Sequence, residues 1–267
     1  MPFVIVETPR PQVALITLNR PERMNAMAFE VMIPLREALE RVSLDNDIRV
    51  VVLTGAGHGF CSGADLEDPG VMPNIDGLTV TSIARRAMEL LDDVIHAVRR
   101  MHQPVIAAIN GAAIGGGFCL SCATDVRIAS DAAYFRAAGI NNGLTASELG
   151  ISYLLPRVVG SGRAFDIMLS GRDVDANEAE RIGLVSQVVP GDQLLDACYG
   201  YAERIIGYSR PGIEITKRML WASLDAGSFA SHMDHEGIAQ LYVRLTTQNF
   251  EEAVRARKEG RTPEFKD

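Results

Sequence analysis

The chain has 267 residues, of which 47% are hydrophobic and 22% are charged, a composition typical of a folded globular protein and unlike that of a disordered one. Its formal net charge of −8 argues against a broad nucleic-acid-binding face, and its longest apolar runs are too short to cross a membrane. Because the first residues lack the basic and apolar segments of a secretory signal, we expect the cytoplasm as the compartment.

The first part of the sequence predicts strands on either side of one amphipathic helix. Residues 3–8 and 13–18 alternate between apolar and polar side chains, which predicts a pair of strands. Apolar residues at helical spacing predict a helix over about 28–45, in which Pro34 is expected to kink or break the first turns. A β-branched strand is predicted at 49–54.

The middle of the chain predicts a loop at 66–78, a long helix over about 83–101, and a buried strand at 104–110. A short helix ending near residue 123 and a strand at 126–129 follow. Beyond residue 150 the predicted elements are helices, at roughly 161–170, 175–182, 192–207, 211–226 and 230–248. This order favours an α/β core with helices docked on or beyond it.

Glycine-rich segments follow two of the predicted strands, and the second contains three consecutive glycines at 115–117. Each glycine is costly to order, at roughly 1 kcal/mol relative to alanine, so either tight helix–strand packing or a close approach of backbone to ligand would explain the triplet. The free N–H groups at a helix start would suit a developing oxyanion. A dinucleotide-binding turn at residues 55–59 is disfavoured because no long helix opens there.

The four cysteines are too few and too scattered for a disulfide framework. Cys119 and Cys122 form one C-x-x-C pair, but a zinc site would need two further ligands that the sequence does not supply nearby. We therefore expect small buried thiols and no metal site.

Five segments together resemble the enoyl-CoA hydratase/isomerase, or crotonase, superfamily. They are NRPERMNAM at 19–27, GFCSGADL at 59–66, PVIAAING at 104–111 with the glycines up to 117, LPRVVG at 155–160 and AERIGLV at 179–185. The resemblance implies an α/β crotonase-type spiral of strand–strand–helix units over residues 1–200. It also implies a helical C-terminal region over 201–267 that builds a homotrimer or a dimer of trimers.

The resemblance further implies an acyl-coenzyme A thioester as substrate, with no separate cofactor. The net charge of −8 and the short apolar runs lead us to expect no nucleic-acid or membrane partner. The backbone N–H groups of Ala64 and Gly116 would hold the thioester carbonyl, as an oxyanion hole, with Gly115 beside them. The implied CoA-binding residues are Arg23 near the phosphates, Ala26, Asp65 and Leu66 near the adenine, and Lys258 in the basic C-terminal segment. An ordinary solvated surface position stays open for each basic residue.

Two positions depart from the hydratase pattern, because Cys119 and Gly139 stand where typical hydratases carry their catalytic glutamates. Glu148 lies where dienoyl-CoA isomerases and some ring-cleavage isomerases of the superfamily carry a catalytic aspartate, although the following spacing is one residue longer. A single carboxylate suits a double-bond shift, since it can remove a proton from one carbon and return it to another. We therefore expect an enoyl-CoA isomerase with Glu148 as its base.

Two other activities stay open: a 2-enoyl-CoA hydratase with a rearranged site, and a non-catalytic acyl-CoA-binding protein. Glu148 also has an alternative role, in the first turn of a helix capped by Ser147. If Glu148 is the base, burial is expected to raise its pKa toward neutrality.

Overall fold

The structure, a computed structural model, describes residues 1–266 and contains ten strands and ten α-helices within that range. The strands are β1 (Val4–Arg10), β2 (Val13–Leu18), β3 (Val50–Gly55), β4 (Gly59–Cys61), β5 (Val105–Ile109), β6 (Ala112–Ile114), β7 (Val126–Ser130), β8 (Tyr134–Arg136), β9 (Val174–Asp175) and β10 (Gln187–Val189). The helices are α1 (Phe29–Ser43), α2 (Val80–Arg100), α3 (Gly116–Ala123), α4 (Ile151–Val159), α5 (Ser161–Ser170), α6 (Ala176–Arg181), α7 (Leu194–Ile206), α8 (Arg210–Leu224), α9 (Phe229–Thr246) and α10 (Asn249–Glu259).

The strands form two sheets that wind together along the chain. The larger sheet has the order β1-β2-β3-β5-β7-β10 and is parallel except for the β1–β2 pair. The smaller sheet has the order β4-β6-β8-β9 and is parallel except for the β8–β9 pair. Three successive stretches, β3-β4-α2, β5-β6-α3 and β7-β8-α4, each supply one strand to each sheet and then a helix. The expected strand–strand–helix spiral is confirmed.

Helices cover both faces of the larger sheet, which explains why its central strands are continuous apolar runs. All six residues of β3 are buried. Val51 and Leu53 pack in the main core with α1 and α3, whereas Val50 and Val52 pack against Cys198 on α7. Because alternate side chains of a strand point to opposite faces, this sheet needs apolar residues at every position.

The predicted long elements are confirmed with small shifts of their ends, and Pro34 does not break its helix. Helix α1 runs without a break from Phe29 to Ser43. Pro34 lacks only the N–H that would bond to the carbonyl of Glu30, and six buried apolar side chains hold the helix on the core. The loop at 66–78 is confirmed as a segment without helix or strand.

The helical C-terminal region begins on the sheet and ends away from the core. The expected boundary at residue 200 falls inside α7, which covers one face of the larger sheet. Helix α9 has no buried residue and exposes large apolar side chains, among them Phe229, Ile238 and Leu245. None of the helices formed by residues 1–266 is both long and apolar enough to cross a membrane.

Candidate active site

The three glycines lie where β6 ends and α3 begins. Gly115 has a φ of +50° and donates its N–H to the carbonyl of Arg136 on β8, at 2.8 Å. A Cβ at Gly117 would lie 2.0 Å from the carbonyl oxygen of Cys61, which only glycine can avoid. The tight-packing explanation therefore holds for Gly117, and the left-handed φ explains Gly115.

Gly116 is the first residue of α3 and lies beside the extended segment that contains Ala64. A Cβ built on Gly63 would lie 3.2 Å from the Gly116 nitrogen. Met27 donates to the carbonyl of Gly63 at 2.7 Å and accepts from the N–H of Asp65 at 3.2 Å, so the N–H of Ala64 between them points away from Met27. Within residues 1–266 neither the Ala64 N–H nor the Gly116 N–H has an acceptor.

The Glu148 carboxylate lies against this glycine segment. Its Oε1 is 3.2 Å from the position that a Cβ on Gly115 would take, and the Cβ of Ala138 is 3.9 Å from the same position. In the part of the chain that the structure describes, the carboxylate makes no hydrogen bond or ion pair. Burial raises the pKa of Glu148, because the charged form loses solvation without gaining a partner.

The backbone around Glu148 is held by local contacts and by α3. The Sγ of Cys119 lies 3.5 Å from the Glu148 carbonyl and 3.2 Å from the Gly115 carbonyl, so one thiol spans the two segments. Leu149 has a φ of +46°, and its buried side chain reaches within 3.3 Å of a Cβ built on Gly116. A left-handed backbone conformation costs a leucine about 1 kcal/mol, and the packing of the buried Leu149 side chain offsets this cost.

The alternative role of Glu148 in a capped helix turn is wrong. Helix α4 begins at Ile151, its N-cap is Gly150, and no side chain caps it. Glu148 therefore precedes the helix. Its carbonyl accepts the N–H of Ile151 at 2.9 Å, while its carboxylate stays free for other contacts.

Arg23, expected near the CoA phosphates, is bound to two carboxylates. It donates to Asp65 at 2.5 Å and to Glu67 at 2.6 Å. Arg20 also donates to Asp65, at 2.9 Å, and the Asp65 side chain is only 2% exposed. Hydrogen bonds from Arg23 hold the pKa of the Asp65 carboxyl far below its usual range, and the same pair raises the pKa of Arg23.

Asp65 also shapes the loop that presents Leu66. Its Oδ1 accepts the N–H groups of Glu67 at 3.1 Å and Asp68 at 2.9 Å, which is an Asx turn. Leu66 sits at the tip of this turn and is 71% exposed. Ala26, three residues after Arg23, is buried, and Lys258 is exposed on α10.

Comparisons with known proteins identify the family of the chain. The sequence model of the enoyl-CoA hydratase/isomerase family matches residues 9–267. The chain belongs to this family. A Mycobacterium tuberculosis (strain H37Rv) protein named "probable enoyl-CoA hydratase EchA12" is 68% identical over 265 residues, covering 99% of this chain and 93% of that protein.

Solved structures of the hydratase/isomerase family superpose on the chain. The crystal structure of a "probable enoyl-CoA hydratase/isomerase" from Mycobacterium abscessus has a TM-score of 0.96 at 66% identity, covering 100% of this chain and 99% of that one. A protein described as a "monofunctional enoyl CoA isomerase" from M. smegmatis has a TM-score of 0.75 at 60% identity, covering 87% of this chain and 99% of that one. The protein is therefore an enzyme of this family with the crotonase fold.

Gly139 and Cys119, where the resemblance places the hydratase glutamates, have different surroundings. A Cβ at Gly139 would lie 1.9 Å from the carbonyl oxygen of Thr145, so this backbone accepts no side chain there. Cys119 is fully buried, and burial together with the charge of Glu148 raises the pKa of its thiol well above the ordinary value. Cys119 is therefore a neutral thiol, and Glu148 is the one acid among the atoms nearest to Cβ positions built on Gly115, Gly116 and Gly117.

Three features of the site escaped the sequence analysis. These are the left-handed Leu149, the thiol contact from Cys119, and the fully buried Asn25, which donates to the carbonyls of Ala56 at 2.9 Å and Gly59 at 2.8 Å. The turn-rich composition of residues 19–25 was the available signal for the last one. Residues 1–266 bring no three His, Cys, Asp or Glu side chains together in a group that could hold a metal ion, and the four cysteines are free and buried.

Proposed function

We propose that this enzyme shifts the double bond of an enoyl-CoA, with Glu148 as the group that carries the proton. One observation carries the proposal: a single unpaired carboxylate faces a glycine segment whose neighbouring amides are free. The clash that a side chain at position 139 would meet removes the place for a second acid.

The chemistry needs one base that also acts as an acid. Glu148 removes a proton from C2 of a 3-enoyl thioester, and the electron pair moves toward the thioester carbonyl to give a dienolate. Glu148 then returns the proton to C4, and the product is the conjugated 2-enoyl thioester. The raised pKa of Glu148 suits both steps, because the acid it forms is closer in strength to the carbon acid than an exposed glutamate would be.

The N–H groups of Ala64 and Gly116 would stabilise the dienolate oxygen. Each well-placed donor in an oxyanion hole contributes roughly 3–4 kcal/mol to the transition state. Gly116 begins α3, so its N–H also carries the partial positive charge of a helix start. Glycine at 115 lets the thioester approach the backbone without a side chain in its path.

The CoA part would bind across the loop at residues 65–68. Leu66 offers an exposed apolar contact for the adenine at the tip of the Asx turn, and the buried Ala26 precedes Met27, which pairs with Ala64. Arg23 would meet a phosphate by giving up Glu67, whose side chain is 80% exposed, while it keeps the buried Asp65. Lys258 would add charge from α10. Coenzyme A enters as part of the substrate, and we propose no separate cofactor.

Hydration is the second candidate activity, because the M. tuberculosis relative is named a hydratase. Adding water to a 2-enoyl thioester generally requires a second group that orients the water molecule. Neither the neutral Cys119 thiol nor Gly139 supplies a carboxylate for this purpose. The site therefore favours isomerisation.

The exposed apolar side chains of α9 support the expected homotrimer or dimer of trimers. A helix with no buried residue and with side chains such as Phe229 and Leu245 in solvent is typical of an element that packs on another subunit. The C-terminal region would then be the trimerisation region of the enzyme.

Replacement of the base tests the proposed function. Glu148→Gln keeps the shape of the side chain but cannot accept a proton, so we expect turnover of a 3-enoyl-CoA to fall by about 10²- to 10⁴-fold. Affinity for the thioester should be unchanged in equilibrium binding. The matched control is Glu203→Gln, which removes an exposed carboxylate on α7 and should retain full activity. Full turnover in Glu148→Gln would refute the assignment, and thioester binding without turnover in the wild type would indicate a binding protein.

A further inference from the structure

A cavity of about 400 Å³ lies beneath α8, away from the glycine segment. It is bounded by α8 on one side, by α4 and α7, and by the turn between α3 and β7. Its apolar lining includes Leu154 and Val158 of α4, Ile205 of α7, and Ile213, Leu220 and Trp221 of α8. This size and lining are those of a small-molecule site.

The cavity is separated from the proposed catalytic site by the length of α3. Cys122, in the last turn of that helix, lines the cavity, whereas Gly116 begins the opposite end. Helix α3 has eight residues and is therefore about 12 Å long. A molecule in the cavity would not be the thioester held at Gly116.

Asp125, the acid that lines the cavity, already has a partner on each of its carboxylate oxygens. One oxygen of Asp125 accepts the Lys217 ammonium at 2.8 Å and the N–H of Val105 at 2.7 Å. The other oxygen accepts the indole N–H of Trp221 at 2.7 Å. Asp125 and Lys217 neutralise each other, so this pair adds no net charge to the cavity.

Two guanidinium groups that line the cavity have no carboxylate partner among residues 1–266. Arg127 donates to the carbonyls of Leu184 at 2.7 Å and Thr124 at 2.9 Å and makes no direct ion pair with any described residue. Arg157 lies over the ring of Tyr153 at 3.5 Å and donates to the Tyr153 carbonyl at 2.9 Å. Burial lowers the pKa of Arg127, and the negative charge of Asp125 offsets only part of that effect.

The cavity combines apolar walls with a net positive charge, because Arg127, Arg157 and Lys217 line it against the single carboxylate of Asp125. We propose that the cavity beneath α8 binds an amphipathic carboxylate, of the class of medium-length fatty acids. The alkyl chain would pack among the apolar side chains of α4 and α8, and the carboxylate would pair with Arg127 and Arg157. This site is independent of the proposed isomerase activity.

Octanoate is the probe that we would use on the full-length protein. The chain contains one tryptophan, Trp221, and it lines the cavity, so intrinsic tryptophan fluorescence originates at this site. We expect a saturable change in fluorescence and a stoichiometry of one octanoate per chain by calorimetry. The absence of a saturable signal in both methods would overturn the proposal.

Two variants and a control locate the bound probe. Arg157→Gln, on the exposed side of α4, should weaken octanoate binding by about tenfold through loss of one charge-assisted contact. Ile213→Phe should weaken it by filling the cavity from α8. The control Arg218→Gln makes the same change on an exposed residue of α8 that does not line the cavity, and it should bind as the wild type does.

Two further comparisons separate this site from its alternatives. Glu148→Gln should bind octanoate as the wild type does, and a loss there would mean that the probe occupies the catalytic site. 1-Octanol, which lacks the carboxylate, should bind more weakly than octanoate. Equal binding of the two, or unchanged octanoate affinity in both Arg157→Gln and Ile213→Phe, would contradict the proposal.

Discussion

At the scale of single residues, Glu148 connects the structure to a pH dependence. Burial without a partner raises its pKa above the ordinary glutamate value of about 4.3. A base must be ionised before it removes a proton, so kcat/KM should rise with pH through an apparent pKa above that value. A pH profile of the wild type measures it. An apparent pKa at or below the ordinary value would contradict the environment described here.

The raised pKa of Glu148 also means that the folded chain is less stable at high pH. The ionised Glu148 is less favourable in the folded chain than in the unfolded chain, so it destabilises the fold once the pH is above its folded-state pKa. This destabilisation fades as the pH falls through that value and is absent below the unfolded-state pKa. Glu148→Gln should therefore raise the Tm near pH 8 and have no effect near pH 4. An unchanged Tm at both pH values would contradict this effect of Glu148. Glu203→Gln serves as the neutral control.

Asp65 and Glu67 make a matched pair for the stability of the Arg23 loop, because both bind Arg23 but only Asp65 is buried. Asp65→Ala leaves Arg20 and Arg23 without their shared carboxylate and should lower the free energy of unfolding by about 3–5 kcal/mol. Glu67→Ala removes an exposed ion pair and should lower it by about 1 kcal/mol or less. Urea unfolding compares the two, and equal losses would show that burial of Asp65 is not decisive.

At the scale of elements, the start of α3 depends on backbone contacts that leave no room for a methyl group. Gly117→Ala would place a Cβ 2.0 Å from a backbone carbonyl, so we expect a loss of several kcal/mol or failure to fold. Gly116→Ala meets the flexible end of Met27 and should fold with lower turnover. Gly162→Ala on α5, with open space around it, should be neutral or stabilise by up to about 1 kcal/mol. Equal thermal stability of all three variants would contradict this ranking.

The length of an element and the periodicity of its apolar residues decided whether the sequence predicted it. Helices α2 and α7 and strands β3 and β5 are long or continuously apolar, so local pattern sufficed for them. Strands β4, β6 and β8 have three residues each, too few for an alternation to show. Helix α10 is mostly polar and charged, so it lacks the apolar stripe from which a helix is predicted.

The candidate site was predictable only where a motif carried it. Ala64, Gly116 and Glu148 came from the family resemblance, and the structure places Glu148 at the glycine segment next to Gly116. The clash at Gly139 with the Thr145 carbonyl and the binding of Arg20 to Asp65 are contacts between separate segments. Such contacts depend on the fold and leave no periodic trace in the sequence.

At the scale of the whole molecule, the exposed apolar face of α9 predicts an assembly. Light scattering after gel filtration should give a mass three or six times the chain mass of 29.0 kDa. Leu241→Asp, in the exposed apolar set of α9, should shift the mass toward that of the monomer, whereas Ser231→Asp on the same helix should shift it less. A monomeric wild type would contradict the proposed role of the C-terminal region.

The most direct test of the whole account is the fate of a 3-enoyl-CoA given to the purified enzyme. Isomerisation by a single carboxylate produces the conjugated 2-enoyl thioester, whose ultraviolet band should grow and then persist because the site does not hydrate its product. If the band never grows at several chain lengths while a supplied 2-enoyl-CoA is consumed, the enzyme is a hydratase, and the role assigned to Glu148 is wrong.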